Sequence, residues 1–512
     1  MLREPLEVGL APITIADVVD VSRGGRKITV SGELEGRVRD SRDFVERWIR
    51  DGKVAYGVNT GFGSLATVRI SHGEIEHLQV NLLRSHAAGV GEPLSEELVR
   101  AMLFLRAVAL LQGCSGIRFS VIVRLLDMLE RRIHPVVPCQ GSVGASGDLA
   151  PLAHLALALI GEGEVFHQGC RVPSAEALRA EGLEPLTLEA KEGLALINGT
   201  QAMAAHGCLA LADLGVALRS ADVTACMSLE ALMGTDASLH PMLHEARRQQ
   251  GQIASADNMR RIVAGSPLIS SHRDCDRVQD AYSLRCAPQV HGAARDVYRW
   301  ACGMLEREIN AVTDNPLVFP EIGGIVSGGN FHGAPVALAL DCVAMAPIYL
   351  CNISERRTYR LLDRAVSGLP AFLTERGGLH SGLMLAQYTA AALTSENKTL
   401  AWPASADTIP TSAGQEDHVS MGMGSARKLM RLVEHAFQVL GIEALCAAQA
   451  LEMREPTAFG PGTQAALKAI RGKFRPVDED RVLSGDLQGT AHFLRSGALV
   501  RAVEAACGAI VG

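Results

Sequence analysis

Val336-Ala-Leu-Ala-Leu-Asp-Cys-Val-Ala-Met-Ala-Pro-Ile-Tyr-Leu-Cys351 is the longest apolar run in the chain. Whether it crosses a membrane or lies inside protein determines what kind of molecule this is. A membrane span needs about 20 mostly apolar residues. This run has sixteen and carries Asp341 and Pro347, so it reads as part of a buried helix over 331–358. Further Ala/Leu-rich segments at 200–231, 289–311, 382–398 and 425–454 carry the same helical signal. Proline and glycine clusters separate them at Pro316, Gly323-Gly324, Trp402-Pro403 and Gly460-Pro461-Gly462. With few strand signals between them, these segments predict a mainly α fold, an elongated bundle of long central helices.

Upstream the pattern is more mixed. Ile28 to Leu34 reads as a short strand, and a Gly-rich loop follows at Tyr56 to Gly63. Ser95-Glu96-Glu97 reads as an N-cap with acidic first-turn residues, opening a helix that runs to Gly113. Arg118 to Arg132 repeats the helical pattern. The expected organisation is a smaller mixed N-terminal domain over 1–112, carrying the Tyr56 loop, and a helical-bundle domain over 113–512. At 512 residues the chain exceeds what one ordinary core supports.

Composition excludes several classes. Forty-nine Lys plus Arg against 56 Asp plus Glu give a net charge of −7, which argues against a nucleic-acid partner because that needs a basic face. The same balance offers nothing to an anionic membrane. The N-terminus has no basic segment followed by an apolar one. Twelve cysteines are scattered without a CxxC pair and read as reduced thiols of a cytoplasmic protein. His240 and His244 stand four apart, as two metal ligands on one helix face would. No Glu follows His240 and no third ligand is evident, so both read as structural and no metal is expected.

The chemistry concentrates in Gly141-Ser-Val-Gly-Ala-Ser-Gly-Asp-Leu-Ala-Pro151. Asp148 and Pro151 read as the opening of a helix. A Gly-rich loop at a helix N-terminus is a possible phosphate cradle. Here, however, Asp148 stands where a phosphate loop has Lys, and the glycine spacing misses GxGxxG. An ordinary Gly/Ser turn is the plain alternative. A third reading uses every residue. In a tightly bent loop the Gly147 nitrogen reaches the Ala145 carbonyl carbon and closes a five-membered ring through Ser146. The attacking residue must be Gly, because a Cβ would crowd the nitrogen and the dihedrals required are open to Gly. Loss of water from Ser146 then leaves an exocyclic methylidene, a strong electrophile, with Asp148 assisting proton transfer.

GSVGASGDLAPLAH resembles the prosthetic-group loop of the aromatic amino acid ammonia-lyases, the family acting on histidine, phenylalanine and tyrosine. The resemblance extends over nearly the whole chain. It includes Tyr56-Gly-Val-Asn-Thr-Gly-Phe-Gly63, Gly193-Leu-Ala-Leu-Ile-Asn-Gly-Thr-Gln201, Gln279-Asp-Ala-Tyr-Ser-Leu-Arg-Cys286, Thr313-Asp-Asn-Pro316, Gly328-Gly-Asn-Phe-His332, Ser395-Glu-Asn-Lys398 and Gln415-Glu-Asp-His-Val-Ser-Met421. It implies a fumarase/aspartase-like helical architecture and a homotetramer whose active sites combine neighbouring subunits. It also implies that Ala145, Ser146 and Gly147 become 4-methylidene-imidazol-5-one (MIO), with no external cofactor.

Removing ammonia from an α-amino acid poses two problems: the amine leaves poorly, and the β-proton is barely acidic. An electrophile answers the first and a positioned base the second. By resemblance, Tyr56 is the base. An unperturbed tyrosine has a pKa of about 10, so it needs activation. Arg285 resembles the residue that clamps the substrate carboxylate, a task suited to a guanidinium fork. Tyr282, three residues earlier, shares its face if the segment is helical and resembles a second active-site tyrosine. Asn198 and Gln279 resemble the amides that hold the prosthetic group and substrate, and Phe331 the aromatic beside the ring. Without the resemblance these residues read as caps, turns, surface ion pairs or core packing.

Ser85-His86 resembles the histidine-specific branch, and so does Glu416. A carboxylate near an imidazole accepts its ring N–H and fixes its tautomer; against a phenyl ring it would be desolvated without compensation. Alone, His86 reads as a core histidine. The chain departs from that branch at Ala334, His380, Trp402 and Gly414. The expected activity is conversion of L-histidine to trans-urocanate and ammonia. The alternatives are a tyrosine or phenylalanine ammonia-lyase or aminomutase with the same chemistry, a pyridoxal-phosphate lyase, and a helical scaffold without catalysis.

Overall fold

The computed structural model describes residues 4–9, 11–58, 60, 74–273, 275–455 and 458–512. Asn59 and residues 61–63 of the Tyr56 loop lie outside them. The chain divides into two compact units, each discontinuous in sequence. The first contains Met1–Leu209, Cys302–Asp341 and Pro403–Arg427; the second contains Ala210–Ala301, Cys342–Trp402 and Lys428–Gly512. Residue 112, the sequence-based boundary, lies within the first.

The mainly α expectation holds, and the long helices form where the apolar patterning predicted them. They are Gln201–Ala231, Ala287–Glu308, Met345–Leu362, Met384–Leu400 and Gly422–Glu452. Gln201–Ala231 is mostly apolar and buried along nearly its whole length, as expected of a core helix. Val336 to Cys351 is helical and mostly buried. It is split into Ala334–Val343 and Met345–Leu362, because Pro347 has no N–H to offer the Val343 carbonyl one turn back.

Among the described residues the strands form only small ribbons, all in the first unit. Ile28–Val30 pairs in parallel with Leu6–Val8. The expected strand to Leu34 stops early because Ser31 caps a helix instead: its hydroxyl accepts from the Leu34 N–H, and Gly32–Arg50 follows. Val90–Pro93 pairs antiparallel with Pro138–Gln140, and that second strand delivers the chain into Gly141. Glu96–Leu111 starts directly after Ser95, as expected, although the Ser95 side chain makes no capping bond. From Leu98 to Leu111 every residue of this helix is buried.

Helices this apolar must still accommodate the polar groups they carry. In the second unit Glu443 is fully buried. Its carboxylate accepts from Thr224 Oγ1 at 3.0 Å, Ser228 Oγ at 2.7 Å, Ser354 Oγ at 2.6 Å and Arg357 Nη2 at 2.9 Å. Three helices, Gln201–Ala231, Met345–Leu362 and Gly422–Glu452, are thereby held in one register. Burial alone would raise the Glu443 pKa, but the Arg357 charge and the hydroxyl donors outweigh it and hold the carboxyl below its ordinary value.

Glu443→Ala leaves the Arg357 guanidinium buried without its counter-charge and should cost about 3–5 kcal/mol of stability. The denaturant midpoint measures this. Glu33→Ala, which breaks the exposed Arg37–Glu33 pair, should move the midpoint by less than about 0.5 kcal/mol equivalent.

Candidate active site

The Gly141–Asp148 loop connects the Pro138–Gln140 strand to the Leu149–Leu159 helix. Gly147 sits at φ +74°, a left-handed conformation that costs Gly nothing. The more severe constraint is space. A Cβ on Gly147 would lie 2.1 Å from the Gly199 carbonyl oxygen. The two glycines form an isolated parallel bridge, and the Asp148 N–H donates to Gly199 O at 2.7 Å. A third strap comes from 420–421: Met421 N–H donates to Val143 O at 2.8 Å and Ser420 Oγ to Gly144 O at 3.2 Å.

Asp148 was expected to open the following helix. It occupies the N-cap position, but its side chain caps nothing. It turns inward instead, fully buried, and accepts from Ser142 Oγ at 2.9 Å and the Met203 N–H at 2.8 Å. Burial outweighs those donors and raises its pKa to about 7.

Ser146 lies between two partners. Its carbonyl oxygen accepts from Asn198 Nδ2 at 3.1 Å. Its hydroxyl donates to Glu416 Oε1 at 2.9 Å. The other carboxylate oxygen, Oε2, accepts from Thr411 Oγ1 at 2.6 Å, and the 411 and 416 backbones form a bridge that fixes the loop. These groups open onto a cavity of about 490 Å³ within the first unit. Of the residues singled out from sequence, Tyr56, Ala145, Ser146, Asn198, Phe331 and Glu416 line it.

Ser85 and His86 do not line it. His86 ends the Ile75–His86 helix, with Nδ1 2.9 Å from Leu82 O, a contact that needs the proton on Nδ1 and leaves Nε2 as the acceptor. Burial lowers the His86 pKa, while the Leu82 carbonyl and the negative charge of Glu416 act the other way. The negative charge of Glu416 is thus felt at His86, the histidine paired with it from sequence. Ser85 Oγ donates to Leu82 O at 3.1 Å and lies 3.0 Å from His86 Nδ1.

Gln279, Tyr282 and Arg285 belong to the second unit and do not line the cavity. Tyr282–Arg285 is one helical turn, and the i,i+3 relation inferred from sequence holds: the Arg285 guanidinium lies 4.5 Å over the Tyr282 ring. Arg285 Nε donates to Asp280 O at 3.0 Å. Tyr282 is 70% exposed.

Sequence reasoning missed Asn315, His332, Gln415, Asp417 and His418, which also line the cavity. Each stands within or beside a motif already quoted, so adjacency was the available signal. His332 and His418 stack with centroids 5.8 Å apart and rings 1° from parallel. His332 Nδ1 accepts from the Ala334 N–H at 3.3 Å, and Nε2 donates to His418 O at 3.2 Å. Ala334, one of the departures from the histidine-branch pattern, thus meets His332 through its backbone N–H.

The His240 and His244 side chains have structural partners. His240 Nδ1 accepts from the Met242 N–H at the start of Pro241–Arg247. His244 contacts Ser238 O at 3.1 Å and Gln252 Nε2 at 2.9 Å. Among the described residues no three His, Cys, Asp or Glu side chains gather as a metal site would require.

The model of the aromatic amino acid lyase family matches residues 13–472. The chain belongs to the aromatic amino acid lyase family. The histidine ammonia-lyase of Gloeobacter violaceus is 52% identical over 97% of each chain. The solved histidine ammonia-lyase of Trypanosoma cruzi superposes with a TM-score of 0.91 at 42% identity, covering 98% of this chain and 95% of that one. Tyrosine aminomutase from Streptomyces globisporus superposes with a TM-score of 0.94 at 36% identity, over 99% and 100%. The helical fold is therefore the one on which this lyase family is built.

Asp148 gives the lyase a pH signature. Its folded pKa of about 7 exceeds the ordinary aspartate value, so the native state holds this proton more tightly than the unfolded chain. Stability from this group is greatest below about pH 4, falls as pH rises toward 7, and is flat above. Subtracting the Asp148→Asn stability curve from that of the parent should reveal this fall, a few kcal/mol in all, by urea unfolding at stepped pH.

Proposed function

We propose that the chain is a histidine ammonia-lyase that converts L-histidine to trans-urocanate and ammonia. The observation carrying this reading is the arrangement around Ser146: a glycine-pinned Ala145-Ser146-Gly147 loop opening on a cavity, with an amide on the Ser146 carbonyl and Glu416 on its hydroxyl.

The loop suits the MIO group. The Gly147 site has no room for a Cβ, so its nitrogen meets no side chain of its own. Asn198 Nδ2 already holds the oxygen that the ring would keep, and Asn198 Oδ1 is buried without a partner among the described residues. Ring closure joins Gly147 N to Ala145 C and releases the Ala145 oxygen as water with the Gly147 and Ser146 amide hydrogens. Elimination of the Ser146 hydroxyl with its Cα hydrogen releases the second water. Asp148, near neutrality and 2.9 Å from Ser142 Oγ, can carry a proton in either direction. When formed, the group supplies an electrophile that captures the substrate amine.

The remaining roles belong to the chain's own side chains. Tyr56, on the same cavity, takes the β-proton. Glu416 accepts an imidazole N–H of the substrate, with His86 within its field and Thr411 fixing its second oxygen. Phe331 packs beside the ring. Arg285 clamps the substrate carboxylate, with Tyr282 and Gln279 beside it. The reading includes a homotetramer in which a neighbouring copy supplies these three, which agrees with the exposure of Tyr282. It also includes a cytoplasmic location, without a nucleic-acid or membrane partner. A tyrosine or phenylalanine lyase, or an aminomutase, would keep the chemistry but set Glu416 against an apolar ring, at a desolvation cost.

Purified protein incubated with L-histidine should build near-ultraviolet urocanate absorbance, while L-tyrosine and L-phenylalanine give little product. Ser146→Ala should lower the rate by at least about a thousandfold, since the electrophile is lost. Turnover of tyrosine or phenylalanine alone would overturn the roles given to His86 and Glu416 and leave the electrophile standing.

A further inference from the structure

Arg106, in the middle of the Glu96–Leu111 helix, is fully buried in the first unit. Its Nη1 donates to the backbone oxygen of Asn198 at 2.9 Å and to Gln201 Oε1 at 2.7 Å. Gln201 Nε2 in turn donates to Thr313 Oγ1 at 2.7 Å. Nε and Nη2 of Arg106 have no hydrogen-bond partner among the described residues. The negative charge of Asp314 acts on it, but that carboxylate is already bonded to the buried Lys191 Nζ at 2.8 Å. Burial lowers the Arg106 pKa to about 10, so it is charged at neutral pH.

A residue kept only for stability would not be placed this way. Burying a guanidinium with two of its three nitrogens unpaired is costly, and an apolar side chain of similar volume would avoid the cost. The position explains the choice. A Cβ on Gly199 would lie 2.4 Å from Arg106 Nη1, 2.4 Å from Gln201 Oε1 and 2.5 Å from Thr313 O. Gly199 also meets Gly147, where a Cβ would lie 2.1 Å from the Gly199 oxygen. The Asn198–Gly199 peptide is thus clamped between Arg106 and the Ala145–Gly147 loop. The same peptide bears the Asn198 side chain that donates to Ser146 O.

We propose that Arg106 is a positioning residue for the prosthetic-group loop: by gripping the Asn198 carbonyl it sets the Asn198–Gly199 turn against Gly147 and aims the Asn198 amide at the Ser146 oxygen. The inference rests on the function proposed above. Arg106 touches neither the substrate nor the reacting atoms. It acts on two stages through one contact. Before ring closure, the clamped turn compresses the loop so that Gly147 N and Ala145 C approach. Afterwards, its fixed charge behind Asn198 would favour negative charge at the oxygen that Asn198 holds.

The test compares the parent with Arg106→Gln, Arg106→Lys and Gln201→Leu. Intact mass gives the fraction of chains lighter by two waters, circular dichroism and thermal unfolding give the folded fraction, and kcat and KM for L-histidine are normalised to converted chains. Arg106→Gln should fold yet retain a substantial unconverted fraction. Its kcat per converted chain should fall roughly 10- to 100-fold with KM little changed, as expected of a misplaced rather than missing group. Arg106→Lys should recover part of both losses. Should Arg106→Gln fail to fold, Gln201→Leu, which removes the acceptor that aims Nη1 but keeps the cation, should show the same pair of defects in milder form.

A folded Arg106→Gln, or in its place Gln201→Leu, that is fully converted and has parental kcat would overturn this proposal alone. A parent chain at its full unmodified mass would overturn the prosthetic-group reading and this proposal with it.

Discussion

The close approach of Gly147 to Gly199 is the constraint around which the site is organised. Two backbones meet where neither tolerates a side chain, and the Asp148 N–H is bonded across the gap. From that contact the rest of the geometry follows. The Ala145–Gly147 segment is forced into a bend, Ser146 is turned toward the cavity, and Asn198 is brought to its carbonyl. The contact is held from behind by Arg106 and Gln201 and in front by the 420–421 strap. Elements far apart in sequence thus hold the two sides of one contact, Arg106 and Gln201 on the Asn198–Gly199 turn and Ser420 and Met421 on the Gly144 and Val143 carbonyls, and the precision of the loop is a property of the unit rather than of the loop itself.

A second theme is how long apolar helices accommodate charge. Glu443 with Arg357, Asp222 with His291 and Arg295, and Lys191 with Asp314 are all buried. Such pairs contribute little net stability against well-packed apolar replacements, but breaking one is costly. Their value here is register. An Ala/Leu-rich helix slides easily against another of the same kind, whereas a carboxylate that must meet three hydroxyls and a guanidinium can do so in only one alignment. Arg106 uses the same physics at the site, where a buried charge fixes a backbone turn.

Burial also separates the two carboxyls by environment. Asp148 is sealed in the protein and driven toward neutrality, which suits a proton carrier behind the loop. Glu416 faces the cavity, anchored by Thr411 through one oxygen and holding Ser146 through the other. Its field reaches His86, and the orientation of its carboxylate is fixed by the chain's own hydroxyls. The stacked His332 and His418 rings line the same space and add a flat, polar-edged wall to it.

Much of this was legible in the sequence because it depends on local rules. Apolar runs of helical period located the long helices, Asp341 and Pro347 marked Val336 to Cys351 as buried rather than membrane-spanning, and Ala145-Ser146-Gly147 within its signature marked the loop. Tyr56, Asn198, Phe331 and Glu416 followed from motifs. The sequence could not show which way a side chain turns. Asp148 reads as a helix cap from its position, yet burial and the Met203 N–H draw it inward. Ile28 to Leu34 reads as a strand, yet Ser31 ends it by capping a helix. Arg106 reads as one more residue in an apolar helix, and only its meeting with the Asn198 carbonyl, 92 residues away, gives it a role. Residue type and spacing determine which helices form and which chemistry is available, because those depend on neighbours along the chain. Which groups meet, at what distance and in what charge state was decided by tertiary packing alone, because burial and hydrogen bonding depend on neighbours in space.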